Sequence, residues 1–207
     1  PWPLSRHPRY RALAKLPFRE TWRGLDVYRP HFLHLPGLGN HLQPKLMVRA
    51  IWPLIERLHL AQPFDLIDAE FFYPDGPAAR ELARRLAIPY SVKARGADIH
   101  HWGSDPKTRE QVLHAGLDAA GLLAVSAAMK SDMVALGMAA EKITVHYTGC
   151  DQRRFAPRPD DGLRAELGIS GPMLITVGAL IARKRQDLVI EALPALPGAT
   201  LSQSPEF

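Results

Sequence analysis

Cysteine is almost missing from this 207-residue chain, and its scarcity narrows the field at once. The single Cys150 has no partner for an internal disulfide or a thiolate metal site, and we expect it to be a small buried apolar residue. Long apolar runs are missing too. No stretch approaches the roughly 18–20 residues that span a bilayer, and no apolar N-terminal block with a small-residue cleavage site occurs. These absences lead us to expect a cytoplasmic protein. No G-x-G-x-x-G follows any predicted strand, which counts against a dinucleotide-binding enzyme. Acidic residues are scarce in one region only: residues 1–60 carry ten Lys or Arg against three Asp or Glu, while residues 61–207 carry sixteen against eighteen. The formal charge of +5 is therefore an N-terminal property. Arg6, Arg9, Arg11, Lys15, Arg19 and Arg23 lie among prolines and aromatics, a mixture that suits an anionic membrane surface or an acidic substrate as well as a solvated basic face. No recognisable nucleic-acid module accompanies the charge, so nucleic acid is not an expected partner.

What the chain does have is 46% hydrophobic residues, enough for a core, arranged with changing periods. From Pro1 to Pro53, eight prolines leave short strands and loops, with Leu25–Tyr28 and Phe32–Leu35 as strand candidates. Lys45 to Leu60 has helical spacing in Leu46, Ile51, Leu54, Ile55 and Leu58, with Pro53 as an interruption. After Gln62 the order becomes regular. Strands are predicted at Phe64–Ala69, Pro89–Lys93, Gly121–Val125 and Lys142–His146, alternating with helices at Gly76–Leu86, about Pro106–Asp118, and from a Ser126 cap to about Leu136. This alternation predicts a parallel α/β sheet. A loop rich in Pro, Asp and Gly follows Thr148, and a fresh strand, Met173–Val177, precedes helical spacing at Leu188, Val189, Ala192 and Leu193. We therefore place a first domain at 1–150, a linker at 151–171 and the start of a second domain at 172–207.

Ligands of open parallel sheets collect at the carboxyl ends of the strands. That rule singles out Glu70 and Tyr73 to Gly76, Arg95 to Asp98, Ser126, Thr148 to Asp151, and Gly178 to Lys184. Gly96 lets the backbone approach a ligand, and Asp98 either accepts a bond from a hydroxyl or caps the following turn. Asp75 reads as a turn or cap residue, and Asp151 as a tie in the linker. His100 and His101 are adjacent, which does not put both on one ligand-facing side, so no metal site is expected. Lys184 places an ammonium beside the start of a helix, where it either serves an anion or is a solvated charge near a helix terminus.

Three segments carry a resemblance: FDLIDAEFFYPDGPAARELARRLAIPYSVKARGADI, LLAVSAAMKSDMVALGMAAEKITVHYTGCDQRRFAP and LGISGPMLITVGALIARKRQDLVIEALPALPGATL. Together they resemble the GT-B glycosyltransferases of the family-four, group-one type, in order and spacing, from about Trp22 to Leu201. The resemblance implies two Rossmann-like domains with helices on both faces of their sheets. The first would hold a carbohydrate or lipid-linked acceptor, and the second a nucleotide-diphosphate sugar, without cofactor or metal. It implies transfer of a hexosyl-type sugar to a hydroxyl, mostly with retention of configuration. Lys184 matches the family's diphosphate-binding lysine, with Arg183 and Gly178 beside it as further donor-binding candidates. Ala179 stands where the family has an arginine, and Arg185 where it usually has glycine. Arg95 replaces a frequent histidine, which puts an acid–base role there in doubt but keeps Arg95 and Asp98 as the catalytic candidates. Glu70, Tyr73 and Gly96 are candidates for the acceptor cleft. The family's first strand and its later glutamate pair are not found, so we expect a piece truncated at both ends, inactive by itself, with SQSPEF as an altered tail. A non-catalytic module binding carbohydrate or a lipid head group is the alternative.

Overall fold

Two short strands come first. The structure, a computed structural model, describes residues 11, 15–33, 39–157 and 162–204. β1 (Arg19–Trp22) and β2 (Leu25–Tyr28) pair antiparallel around a two-residue turn in which Arg23 and Gly24 have φ of 51° and 82°. Positive φ at both central residues matches the twist of a tight hairpin, and glycine supplies the second without a steric cost. β2 is the predicted strand. β1 escapes detection because RETW has no apolar alternation; its ladder is supplemented by an Arg19–Asp26 ion pair at 3.3 Å. Of the predicted Phe32–Leu35, Leu33 makes an isolated bridge and residues 34–35 lie outside the described residues, as do residues 1–10 and 12–14 of the basic N-terminal segment.

Helix α1 (Gln43–Ala61) starts with Pro44 in its first turn, where a missing N–H leaves nothing unsatisfied. Pro53 does not interrupt it. The Arg49 carbonyl loses its helical donor, but Arg49 lies on the exposed side, where water can replace the bond. Met47, Val48, Ile51 and Trp52 of α1 pack on Ala78 and Leu82 of α2 (Asp75–Leu86).

Four parallel strands then lie side by side in chain order: β3 (Ile67–Ala69), β4 (Tyr90–Ala94), β5 (Gly121–Ala124) and β6 (Ile143–Val145). Helices α2, α3 (Arg109–Asp118) and α4 (Ala127–Ala135) form the connections and flank the sheet. Alternation decides which strand residues are covered. Tyr90, Val92 and Ala94 face the helices, with Leu122 and Ala124 beside them in register, and all are buried. The Tyr90 hydroxyl donates to the Ala115 carbonyl of α3 at 2.8 Å, and a Cβ on Gly76 would stand 3.3 Å from that of Ala115. Side chain therefore gives way to close packing where α2 crosses α3. Full burial of Phe72, Val92 or Leu122 contributes roughly 1.5–3 kcal/mol each. Ser126 caps α4 as expected: its Oγ accepts the Met129 N–H at 3.1 Å, an interaction worth about 1 kcal/mol.

The chain divides into two compact units, Pro1–Gly149 and Cys150–Phe207. The second contains α5 (Leu163–Glu166), β7 (Met173–Val177), α6 (Gln186–Ala192) and β8 (Thr200–Ser204), with β8 parallel to β7. Ser202 to Ser204 extend the ladder although they are polar, because the ladder needs only their backbone groups. Cys150 is exposed, not buried: it follows directly on the last residue of the first unit, outside either unit's packed interior. No described helix is long and apolar enough to cross a membrane.

Candidate functional site

Two loops gather at the carboxyl ends of β3 and β4, and Asp98 joins them. Its carboxylate accepts the backbone N–H groups of Phe72 at 3.1 Å, Arg95 at 3.1 Å and Gly96 at 2.7 Å. Asp98 is fully buried, so the hydroxyl contact expected for it is replaced by this internal one. It is a positioning residue here, in line with its expected alternative as a turn cap. Gly96 has φ +134°, and a Cβ there would meet nothing within 4 Å. Its glycine is thus favoured by conformation, and no protein atom crowds the space beside it. The Gly96 carbonyl accepts the N–H groups of Ile99 and His100 and starts the single π-helical turn Asp98–Trp102.

Tyr73 is also interior. Its ring stacks on Trp102 with centroids 5.0 Å apart, and its hydroxyl donates to the Asn40 carbonyl. Burial, with the nearby Asp105 charge second, pushes its pKa up to about 12. It cannot line an open cleft, because apolar packing holds the ring and a carbonyl holds the hydroxyl. Asp75 opens α2; burial first, and then the charge of Asp98, raise its carboxyl above the usual carboxylate range.

Glu70 and Arg95 remain on the solvent side. Arg95 Nη1 lies 3.7 Å from Glu70 Oε2, and Lys93 Nζ lies 4.0 Å from the same oxygen. Lys93 was not among the expected residues, because a lysine inside an otherwise apolar strand reads as an outward, solvated position. Its signal is SVKA itself: Lys93 shares the strand face with Ser91 and points away from Val92 and Ala94.

In the second unit, Gly178 follows β7 with φ +157° and is buried, and the Lys184 stem packs over it, Cδ 3.6 Å from where a Cβ would be. Lys184 ends the 3₁₀ turn Ala182–Lys184 before α6 and is exposed, with no ion pair or hydrogen bond from its side chain among the described residues. The backbone of Arg183 lies in the same turn. Arg185 adopts φ 51°, ψ 39°, the left-handed region in which a glycine is free of strain, and pairs with Asp187 at 3.1 Å. The glycine expected at this position thus has a conformational reason. The Gln186 amide donates to the Ala179 carbonyl at 3.0 Å and closes the loop.

A concavity of about 850 Å³ lies elsewhere, among α1, α2 and α3, and none of these residues lines it. Among the described residues no group of three His, Cys, Asp or Glu side chains is placed to hold a metal.

Comparison with known proteins bears on the family and the fold. A family model described as a glycosyl transferase 4-like domain matches residues 4–149. TuaC of Bacillus subtilis (strain 168), named as a candidate teichuronic acid biosynthesis glycosyltransferase, is 26% identical over 193 residues, which are 90% of this chain and 49% of that protein. Among solved structures, the sucrose-phosphate synthase of Thermosynechococcus elongatus superposes with a TM-score of 0.72 at 16% identity, over 91% of this chain and 49% of that one. HepE of Anabaena, crystallised with UDP and glucose, gives a TM-score of 0.59 at 22% identity over 75% of this chain and 44% of that one. These structural likenesses are likenesses of fold. The chain spans about half the length of the relatives it matches.

Proposed function

The chain belongs to the glycosyl transferase 4-like domain family, with the α/β fold of GT-B glycosyltransferases, and on that premise we propose that it is the acceptor side and first donor-side unit of a hexosyltransferase. The family match over residues 4–149 carries this reading. The whole enzyme moves a sugar from a nucleotide-diphosphate sugar to a hydroxyl, with retention at the anomeric carbon and without a metal.

The first unit takes a carbohydrate or lipid-linked acceptor at the ends of β3 and β4, where Glu70, Arg95 and Gly96 meet solvent. The second takes the donor diphosphate at the loop after β7. As the glycosidic bond breaks, charge grows on the leaving diphosphate, and the ammonium of Lys184, whose stem packs over Gly178 and which has no side-chain partner among the described residues, stabilises that charge. Such chemistry needs an oriented hydroxyl and a polarised leaving group more than a protein nucleophile. HepE, a relative in fold, was crystallised with UDP and glucose, which suits a nucleotide-sugar donor here. The reading places the protein in the cytoplasm, touching the membrane peripherally through its basic N-terminal segment.

Because the chain spans half the length of its relatives, it is expected to bind a nucleoside diphosphate weakly and to turn over no nucleotide sugar alone. Titration of the purified chain with UDP and GDP, followed by amide chemical shifts, should move Gly178 to Lys184, and Lys184→Ala should remove the response. Shifts confined to other residues would sink the donor assignment, and transfer by the chain alone would sink the expected inactivity.

A further inference from the structure

One carboxylate serves two cations at the carboxyl ends of β3 and β4, and it satisfies neither. Lys93 is only 9% exposed, yet the partner of its Nζ among the described residues is Glu70 Oε2 at 4.0 Å. Arg95 Nη1 reaches the same oxygen at 3.7 Å. Both distances exceed the roughly 2.7–2.9 Å of a charge-assisted hydrogen bond. An ammonium has three donors and a guanidinium five, so most of this donor capacity is open, and both side chains turn to a single carboxylate. The Lys93 stem is buried while its ammonium still meets solvent, so the charge is held at the surface beside a guanidinium, and a stretch built only for stability would fill the position with an apolar side chain.

The two cations are also held in place. Lys93 sits on β4, which is hydrogen-bonded to β3 on one side and to β5 on the other. The Arg95 and Gly96 N–H groups are fixed by buried Asp98. Glu70 is the loose member, exposed and beyond hydrogen-bonding distance of either cation. Such a trio suits a ligand anion that takes the place of the carboxylate: a guanidinium grips carboxylate or phosphate oxygens in pairs, while an ammonium supplies a point charge.

We propose that Lys93 and Arg95 form a subsite for an anionic group on the sugar acceptor, a carboxylate or a phosphate ester, with Glu70 as the counter-ion it displaces. The inference rests on the acceptor-side reading of the first unit and adds the charge class of the acceptor.

The test is titration of the purified chain with glucuronate, glucose 6-phosphate, inorganic phosphate and glucose, read from the amide shifts of Lys93, Arg95 and Gly96. At least one acidic sugar is expected to bind about tenfold or more tightly than glucose, and Lys93→Met and Arg95→Met, each shown folded by its spectrum, should weaken it about tenfold. Glu70→Gln should tighten it severalfold by removing the competing carboxylate. A preference for glucuronate identifies a carboxylate, and a preference for glucose 6-phosphate a phosphate ester. Equal binding of glucose, binding of inorganic phosphate as tight as that of its sugar ester, no binding of any of the four, or unchanged affinity in a folded Lys93→Met variant would each overturn the proposal. None of these outcomes touches the nucleotide titration at Gly178 to Lys184, so a failed donor assignment is read separately.

Discussion

At the level of single residues, the Asp98 carboxylate holds two loops together by accepting the N–H groups of Phe72, Arg95 and Gly96. Asparagine keeps the shape of the side chain but turns one acceptor oxygen into a donor that faces N–H groups in a buried place. Asp98→Asn is expected to destabilise the first unit by about 2–4 kcal/mol, measured by urea unfolding. The electrostatic consequence is independent of that cost. The Asp98 charge is the second cause, after burial, of the raised Asp75 carboxyl, so Asp75 should titrate at lower pH in the Asp98→Asn variant, as followed by carbon-detected NMR. A variant as stable as the parent, with Asp75 unmoved, would show that the carboxylate is replaceable. The effect on Arg95 is then indirect, through its backbone, which is why Asp98 belongs with positioning groups.

At the level of elements, α2 carries its own acid-sensitive clamp. Glu81 accepts from Arg84 Nε at 3.0 Å and from Arg85 Nε at 2.7 Å, and the Arg85 guanidinium also lies over the Trp52 ring of α1, 5.0 Å from its centroid. Hydrogen bonds from Arg84 and Arg85 pull the Glu81 pKa down from 4.5 to about 2. A depressed carboxyl stabilises the fold above the unfolded value, near pH 4.5, and loses that contribution as the pH falls through about 2. All three side chains are partly solvated, so the contribution is held to about 0.5–1 kcal/mol. The advantage of the parent over Glu81→Gln in urea midpoint should be present at pH 6 and gone near pH 2; a difference independent of pH would refute the clamp. Elements of this kind were legible where local rules act alone. Ser126 announced its cap, and Met173–Val177 announced a strand. β1 was not legible, since its stability is a ladder and an ion pair, and Pro53 misled because hydration of a carbonyl on the exposed side is a tertiary fact. Glu70 and Arg95 were found by the strand-end rule, which gives position along the chain. That rule is silent on direction, so it could not tell that Tyr73 and Asp98 turn inward or that Lys93 reaches the same carboxylate.

At the level of the whole molecule, charge and exposed apolar surface coincide near the N-terminus. The ten cations against three carboxylates of residues 1–60 are matched by a described hairpin that exposes Phe18, Trp22 and Leu25, with Arg19 over the Tyr28 ring and Arg23 over Trp22. Elsewhere in the described first unit, the large apolar side chains between Phe72 and Ile143 mostly enter one core. A basic surface with an exposed indole is suited to the interface of an anionic bilayer, where each arginine or lysine near the surface adds about 1 kcal/mol and the indole sits at head-group depth. The chain is expected to sediment with phosphatidylglycerol vesicles and not with phosphatidylcholine vesicles, and to be released near ~1 M salt, where the screening length shortens to about 3 Å. Trp22→Ser should weaken sedimentation without altering the salt release, because it removes the apolar contribution alone; Arg19→Gln with Arg23→Gln should weaken both. Equal partition into the two lipids would refute an electrostatic attachment, and loss with the arginine pair but not with Trp22→Ser would reduce it to charge alone.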